Sequence, residues 1–86
     1  METEPKITHV EPHADYTLTL TFSNGERRAF DLNPYLDLPV FRPLRDVRAF
    51  SDVHIDPLGS VAWGTGADLA YDMLYQESEP LTVDAE

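Results

Sequence analysis

Cysteine is absent from the 86-residue chain, which excludes a disulfide framework and any zinc site built on thiolates. Positive charge is scarce. Lys6, Arg27, Arg28, Arg42, Arg45 and Arg48 are the six cationic residues, and none follows Arg48. Residues 49–86 hold eight acids (Asp52, Asp56, Asp68, Asp72, Glu77, Glu79, Asp84 and Glu86), and the whole chain carries a net charge of −10. Phosphate backbones are bound through Lys and Arg with release of counterions, so a surface of this sign repels them and no direct nucleic-acid binding is expected. No apolar run approaches the roughly 20 residues of a membrane-spanning helix. The opening METEPKITHV is acidic and polar where a signal peptide is basic and then apolar. A cytoplasmic protein without a membrane partner is the expectation.

What is present is enough for one core. Hydrophobic residues make up 42% and aromatic residues 10% of the chain, and a single domain of this size buries roughly 60–65% of its unfolded surface. We expect a single domain over residues 6–76. Residues 1–5 are expected to form a disordered N-terminus and residues 77–86 a disordered acidic tail, because both are polar and short of anchors.

The pattern from Lys6 to Leu32 is that of β-structure. Tyr16, Leu18, Leu20 and Phe22 alternate with Thr17, Thr19 and Thr21, the period of a strand with one face buried. Ser23-Asn24-Gly25 then turns the chain. A two-residue loop would pair Thr19 with Phe30 and put apolar side chains on both faces. A three-residue loop pairs Leu18 with Phe30 and Tyr16 with Leu32, and so predicts a type I turn with Gly25 left-handed in a bulge. Asn33 and Pro34 predict a single helical turn with Asn33 as its cap. Pro43 forbids one long helix through residues 39–44, which leaves VFRPLRDVRAF to short helical turns or loop. DVHIDPLGSVAW reads as two short strands joined at Asp56-Pro57-Leu58-Gly59. DLAYDMLYQ reads as a short terminal helix with Leu69, Met73 or Leu74 and the aromatics inward. The fold class is therefore α+β: a small antiparallel sheet of four to five short strands with one or two short helices.

No constellation for catalysis stands out. The four serines lack a nucleophile-elbow pattern, and no carboxylate pair is distinguished from the general acidity, so neither catalytic nor cofactor-binding residues are assigned. Gly64-Thr65-Gly66 misses both glycine-rich phosphate loops. Leu69 stands at the third glycine of one, and Thr65 stands where the other needs lysine. The segment is expected to be a corner, with Asp68 capping the turn that follows. His9, Glu11 and His13 would share one face of a strand and could hold a divalent ion, but Pro12 disturbs that strand. A solvated polar face is expected there, and no metal.

Arg42, Arg45 and Arg48 recur every three residues, so a helical turn would set them on one side, against an acidic partner or against Asp37, Asp46 and Asp52 of the same chain. Trp63, the lone tryptophan, is expected as a core anchor, with a ligand platform as the alternative. Arg42, Arg45, Arg48, Trp63 and Asp68 together are the candidate interaction surface.

The order of blocks is similar to the family catalogued as domain of unknown function 2442. The blocks are Tyr16-x-Leu18-x-Leu20-x-Phe22, Asn24-Gly25, Phe30-Asp31-Leu32, Tyr35-Leu36, Phe41-x-x-Leu44-x-Asp46-x-x-x-Phe50, Val61-x-Trp63, Gly66-Ala67-Asp68-Leu69 and Leu74-Tyr75. The chain departs from the family at Gly64 and Tyr71, where proline is common. The resemblance implies a small bacterial α+β domain without assigned catalytic residues. It also implies relatives that are fused to helix-turn-helix domains or encoded beside a small protein in toxin–antitoxin fashion. Three functions remain open. The first is a non-catalytic protein-interaction module, antitoxin-like, with a basic protein partner. The second is a small-ligand or anion-sensing domain built on Trp63 and the arginines. The third is an enzyme whose site forms only in an oligomer. Exposed strand edges leave a monomer or a homodimer open.

Overall fold

The structure, a computed structural model, describes residues 4–81. Its first sheet follows the alternation in the sequence. Strands β1 (Ile7–Pro12), β2 (Thr17–Phe22) and β3 (Arg27–Asp31) form an antiparallel meander, and β7 (Glu79–Pro80) adds to the free side of β3. Leu18, Leu20 and Phe22 are buried and alternate with half-exposed threonines. Leu18 lies opposite Phe30, the register of a three-residue loop, and Leu32 N–H donates to the Tyr16 carbonyl at 3.0 Å. Each of these buried Leu and Phe side chains stabilises the fold by roughly 1.5–3 kcal/mol relative to exposure.

The same loop length closes every hairpin. β4 (His54–Ile55), β5 (Val61–Ala62) and β6 (Asp68–Leu69) form a second, three-stranded antiparallel sheet. The four tight turns span residues 14–16, 23–25, 57–59 and 64–66. The residue before each loop donates to the residue after it: His13 to Thr17, Phe22 to Glu26, Asp56 to Ser60 and Trp63 to Ala67, at 2.8–2.9 Å. The third loop residue donates back to the residue before the loop, at 2.8–3.0 Å. This geometry puts the third residue at positive φ, as found for Gly25 (88°), Gly59 (87°), Gly66 (99°) and Tyr16 (69°). Tyr16 is the one described non-glycine residue with positive φ, a conformation that costs an L-residue roughly 1–2 kcal/mol. Its side chain accounts for its presence. The ring meets Phe50 edge-on with centroids 5.2 Å apart, and the hydroxyl donates to the Arg45 carbonyl.

Between the sheets runs a stretch of short helical pieces. Pro34 lies within a 3-10 turn, Asn33–Tyr35, and Pro43 within a second, Arg42–Arg45, followed by α1 (Val47–Phe50). Asn33 is the first residue of its turn and not its cap. Its amide donates to the Asp15 carbonyl at 2.8 Å and to Asp31 at 2.7 Å, which ties the turn back to the hairpins. α1 is capped by Asp46, whose carboxylate accepts from Arg48 N–H at 3.0 Å. Six rings link this stretch to both sheets. They run Phe30–Tyr35–Phe41–Trp63–Phe50–Tyr16, with successive centroids 5.2–6.5 Å apart.

The α+β class stands, with the strands divided between two sheets. The cause is the helical stretch between Asn33 and Phe50, which interrupts pairing after β3. β1 holds the two sheets together through Ile7 N–H, which donates to the Gly59 carbonyl at 2.9 Å. The C-terminal helix α2 (Tyr71–Glu77) buries Leu74, while Leu69 lies before it on β6. Of the segment expected to be a disordered tail, Glu77 ends α2 and Ser78 is buried. Glu79–Pro80 pair with β3, and Leu81 N–H donates to the Arg27 carbonyl at 2.9 Å. Residues 79–81 are anchored because they supply backbone partners to an otherwise open strand edge. At the other end Glu4 accepts from Gln76 at 3.0 Å. Residues 1–3 and 82–86 lie outside the described residues.

Two of the turn glycines separate strain from crowding. A Cβ at Gly25 meets nothing within 4 Å, whereas one at Gly59 would stand 2.6 Å from Lys6 Cβ. Gly25→Ala is expected to cost about 1 kcal/mol and Gly59→Ala more than about 2 kcal/mol. Chemical denaturation of the two variants beside the unmodified protein measures both.

Candidate functional site

The five candidate surface residues do not form one surface. Trp63 is 2% exposed, with its indole N–H donating to the Phe50 carbonyl at 2.8 Å and its ring stacked on Phe50. It anchors the core and is corrected out of the interaction surface, because its polar atom is satisfied inside and its faces are covered. Asp68 is exposed but belongs to β6, opposite Ala62, and caps nothing. The residue at the N-cap position of α2, Ala70, has no side chain to cap it. Instead the Ser60 hydroxyl accepts from Tyr71 N–H at 3.0 Å. The Gly64–Gly66 corner is a hairpin turn.

The three arginines sit on two separate pieces. Arg42 and Arg45 belong to the second 3-10 turn and Arg48 to α1, with extended Asp46 between. Arg45 pairs with the Asp37 carboxylate, and Arg42 donates to the Asp37 carbonyl at 3.0 Å. Both are spread over the protein's own loop, and Arg48 is exposed. On β1, His9 and Glu11 are exposed, while His13 Nε2 is 2.7 Å from Thr19 Oγ1. Among the described residues no three His, Asp or Glu side chains converge to hold a metal ion.

Two arrangements have the density of a site. The first is a polar clamp that fastens α2 and β7 to the second hairpin. Arg28 donates to Ser78 Oγ and to the Ser78 carbonyl, each at 2.8 Å, and to Glu26 Oε2 at 3.1 Å. Its guanidinium lies 4.7 Å above the Tyr75 ring. The Tyr75 hydroxyl donates to Glu26 Oε1 at 2.6 Å, and Asn24 donates to the same oxygen at 3.2 Å. The Tyr75 hydrogen bond, helped by Asn24 and Arg28, holds the Glu26 carboxyl below its ordinary range. The same bond raises the Tyr75 phenol, because its ionised form would face a carboxylate. The groups answer one another, so the clamp reads as structure.

The second is a half-open groove of about 420 Å³ on the outer side of β3, in front of the first 3-10 turn and the end of α2. Ala29, Phe30, Pro34 and Tyr35 give it an apolar wall, and Asp31, Glu77 and Glu79 supply three carboxylates. Glu79 reaches it because β7 places that residue opposite Ala29. Asp31 was within reach of the sequence, since the three-residue loop sets it opposite Thr17 on the outward face. Glu79 was not, because its two-residue strand has no periodicity to read, nor was Glu77, whose place at the end of α2 depends on the packing of that helix against β3.

Two interlocked sheets of three-residue hairpins, joined by helical turns around a string of aromatic rings, define a small antiparallel α+β domain with an acidic groove. The chain belongs to the family described as protein of unknown function (DUF2442), which matches residues 7–80. No curated protein matches it, and no solved structure does. No helix among the described residues is long and apolar enough to cross a membrane.

The clamp makes the stability of the fold depend on pH at both ends of the range. Glu26 has a depressed pKa, so its contribution is present above the ordinary value of 4.5 and is lost as pH falls through the lower folded value. Tyr75 has a raised pKa, so its contribution is complete below 10.0 and is lost as pH rises through the higher folded value. Glu26→Gln is expected to flatten the acid limb of a stability–pH curve and to shrink the alkaline one. Denaturant midpoints measured from acid to alkaline pH read both limbs, and an unchanged acid limb would remove Glu26 from the clamp.

Proposed function

We propose that the domain is a non-catalytic protein-interaction module of the cytoplasm, the acidic partner of a small basic protein. In this reading the groove receives a lysine- or arginine-bearing segment of that protein. The observation that carries it is the meeting of Asp31, Glu77 and Glu79 with the Tyr35 ring in one groove. A cationic side chain entering there gains charge-assisted hydrogen bonds from carboxylates and an aromatic face for its apolar stem. The net charge of −10 steers a basic partner in from a distance and repels acidic competitors, with a reach set by ionic strength. An antitoxin-like pairing with a protein encoded nearby agrees with the associations the family resemblance implies.

Gentle purification of the tagged protein from its own host tests the reading, together with titration of whatever identified protein comes with it. A stoichiometric basic partner is expected, with affinity falling as salt is raised. Reversal of the groove rim by Glu77→Lys and Glu79→Lys should weaken binding by at least about 10-fold. A partner that is acidic, or one indifferent to the reversed rim, overturns the assignment of the groove.

A further inference from the structure

We infer that the segment from Asp37 to Arg48 is a self-association surface that joins two copies of this chain about a two-fold axis. Five large hydrophobic side chains are exposed among the described residues, and three of them lie on this one segment: Leu38 (47%), Val40 (54%) and Val47 (40%). The segment is held in place. Phe41 and Arg42 N–H both donate to the Leu38 carbonyl at 2.9 Å, and Leu38 N–H donates to Tyr35 at 3.0 Å. Phe41 and Leu44 are buried beneath it, and Tyr16 grips the Arg45 carbonyl. A conformationally costly tyrosine, spent on fixing an exposed stretch, fits a stretch whose shape is used.

Charge selects the occupant. Three arginines against two aspartates leave residues 37–48 at +1, so the remaining residues must carry −11 of the total of −10. Two copies repel one another over most of their surface, and this segment, close to neutral, is where they can approach against the least like charge. An acidic partner would meet the same repulsion from the rest of the chain, and a basic one is drawn to the acidic side instead. The rim also carries both signs. Exposed Asp37 and Asp46 share the segment with exposed Arg42, Arg45 and Arg48, and Arg42 and Arg45 already lie on Asp37, so a two-fold can set Arg48 of one copy against an aspartate of the other, twice over. Exposed apolar side chains and arginines on one segment are the composition of an interface centre. The proposal goes beyond the groove reading and leaves both grooves of the dimer free.

Sedimentation equilibrium of the whole chain, from about 10 µM to about 1 mM, tests it. A monomer–dimer equilibrium is expected. Val40→Glu combined with Val47→Glu should give a monomer throughout. Arg48→Glu should raise the dissociation constant by at least about 10-fold. Leu58→Glu, at a 70% exposed position elsewhere, and the reversed groove variant should dimerise as before. Because the altered side chains are exposed, Trp63 fluorescence should stay unchanged and so separate loss of assembly from loss of fold. A monomer at every concentration overturns the proposal and hands the patch to a different protein. So does a dimer that survives Val40→Glu with Val47→Glu, or one abolished by Leu58→Glu.

Discussion

The hydrogen bond from the Trp63 indole to the Phe50 carbonyl is the contact on which the rest of the molecule depends. It satisfies a carbonyl at the end of a helix of only four residues, too short to be stable alone. It also places the largest side chain of the chain in the core, where Phe41 meets it edge-on and Phe50 stacks on it. From there the rings pass the constraint outward, through Tyr16 to the first hairpin and through Tyr35 and Phe30 to β3. A domain of this size has little apolar surface to spare. It compensates by making aromatic contacts directional, each ring positioning the next.

The C-terminal half of the structure is held by a different chemistry. α2 and β7 meet the second hairpin through Arg28, Glu26, Tyr75 and Ser78, and Phe22 meets Tyr75 edge-on at 5.1 Å. Arg28 points inward from β3 between Glu26 and Phe30, a position that the alternation would assign to an apolar residue. Its guanidinium is tolerated because Ser78, Glu26 and the Tyr75 ring occupy its donors and its face. By fixing Ser78 the clamp also fixes where β7 starts, and so brings Glu79 to the groove. The clamp and the acidic groove therefore use different residues that are neighbours along β3 and along the end of α2 and β7.

Much of the first sheet was legible because its physics is local. The threonine–leucine alternation fixes the faces, and Gly25 fixes the loop. The choice between a two- and a three-residue turn followed from requiring one apolar face, and the register of Leu18 with Phe30 agrees. The second sheet was half legible. Asp56-Pro57-Leu58-Gly59 announced its first turn, but β6 is two residues long and its partner is chosen by the Gly64–Gly66 turn. That turn was read as the way into a helix, and Asp68 was consequently given a capping role that Ser60 takes from a distance. β7 was hidden for the same reason of length, and with it Glu79 of the groove. Trp63 shows the converse. Its burial was the leading expectation, and only the partner carbonyl, thirteen residues away in the chain, needed the structure.

The uniform turns bear on how this family can change. Each of the four hairpins closes on three residues with a left-handed third position. A single inserted or deleted residue there would shift the strand by one and exchange its buried and exposed faces. The hairpins are thus closed to gain or loss of length. In the stretch that takes part in neither sheet, residues 37–40, between buried Leu36 and Phe41, are where length can change without shifting a strand. Divergence among relatives should then rewrite the exposed segment around Val40 sooner than the loops, which reverses the usual division between conserved framework and variable turns.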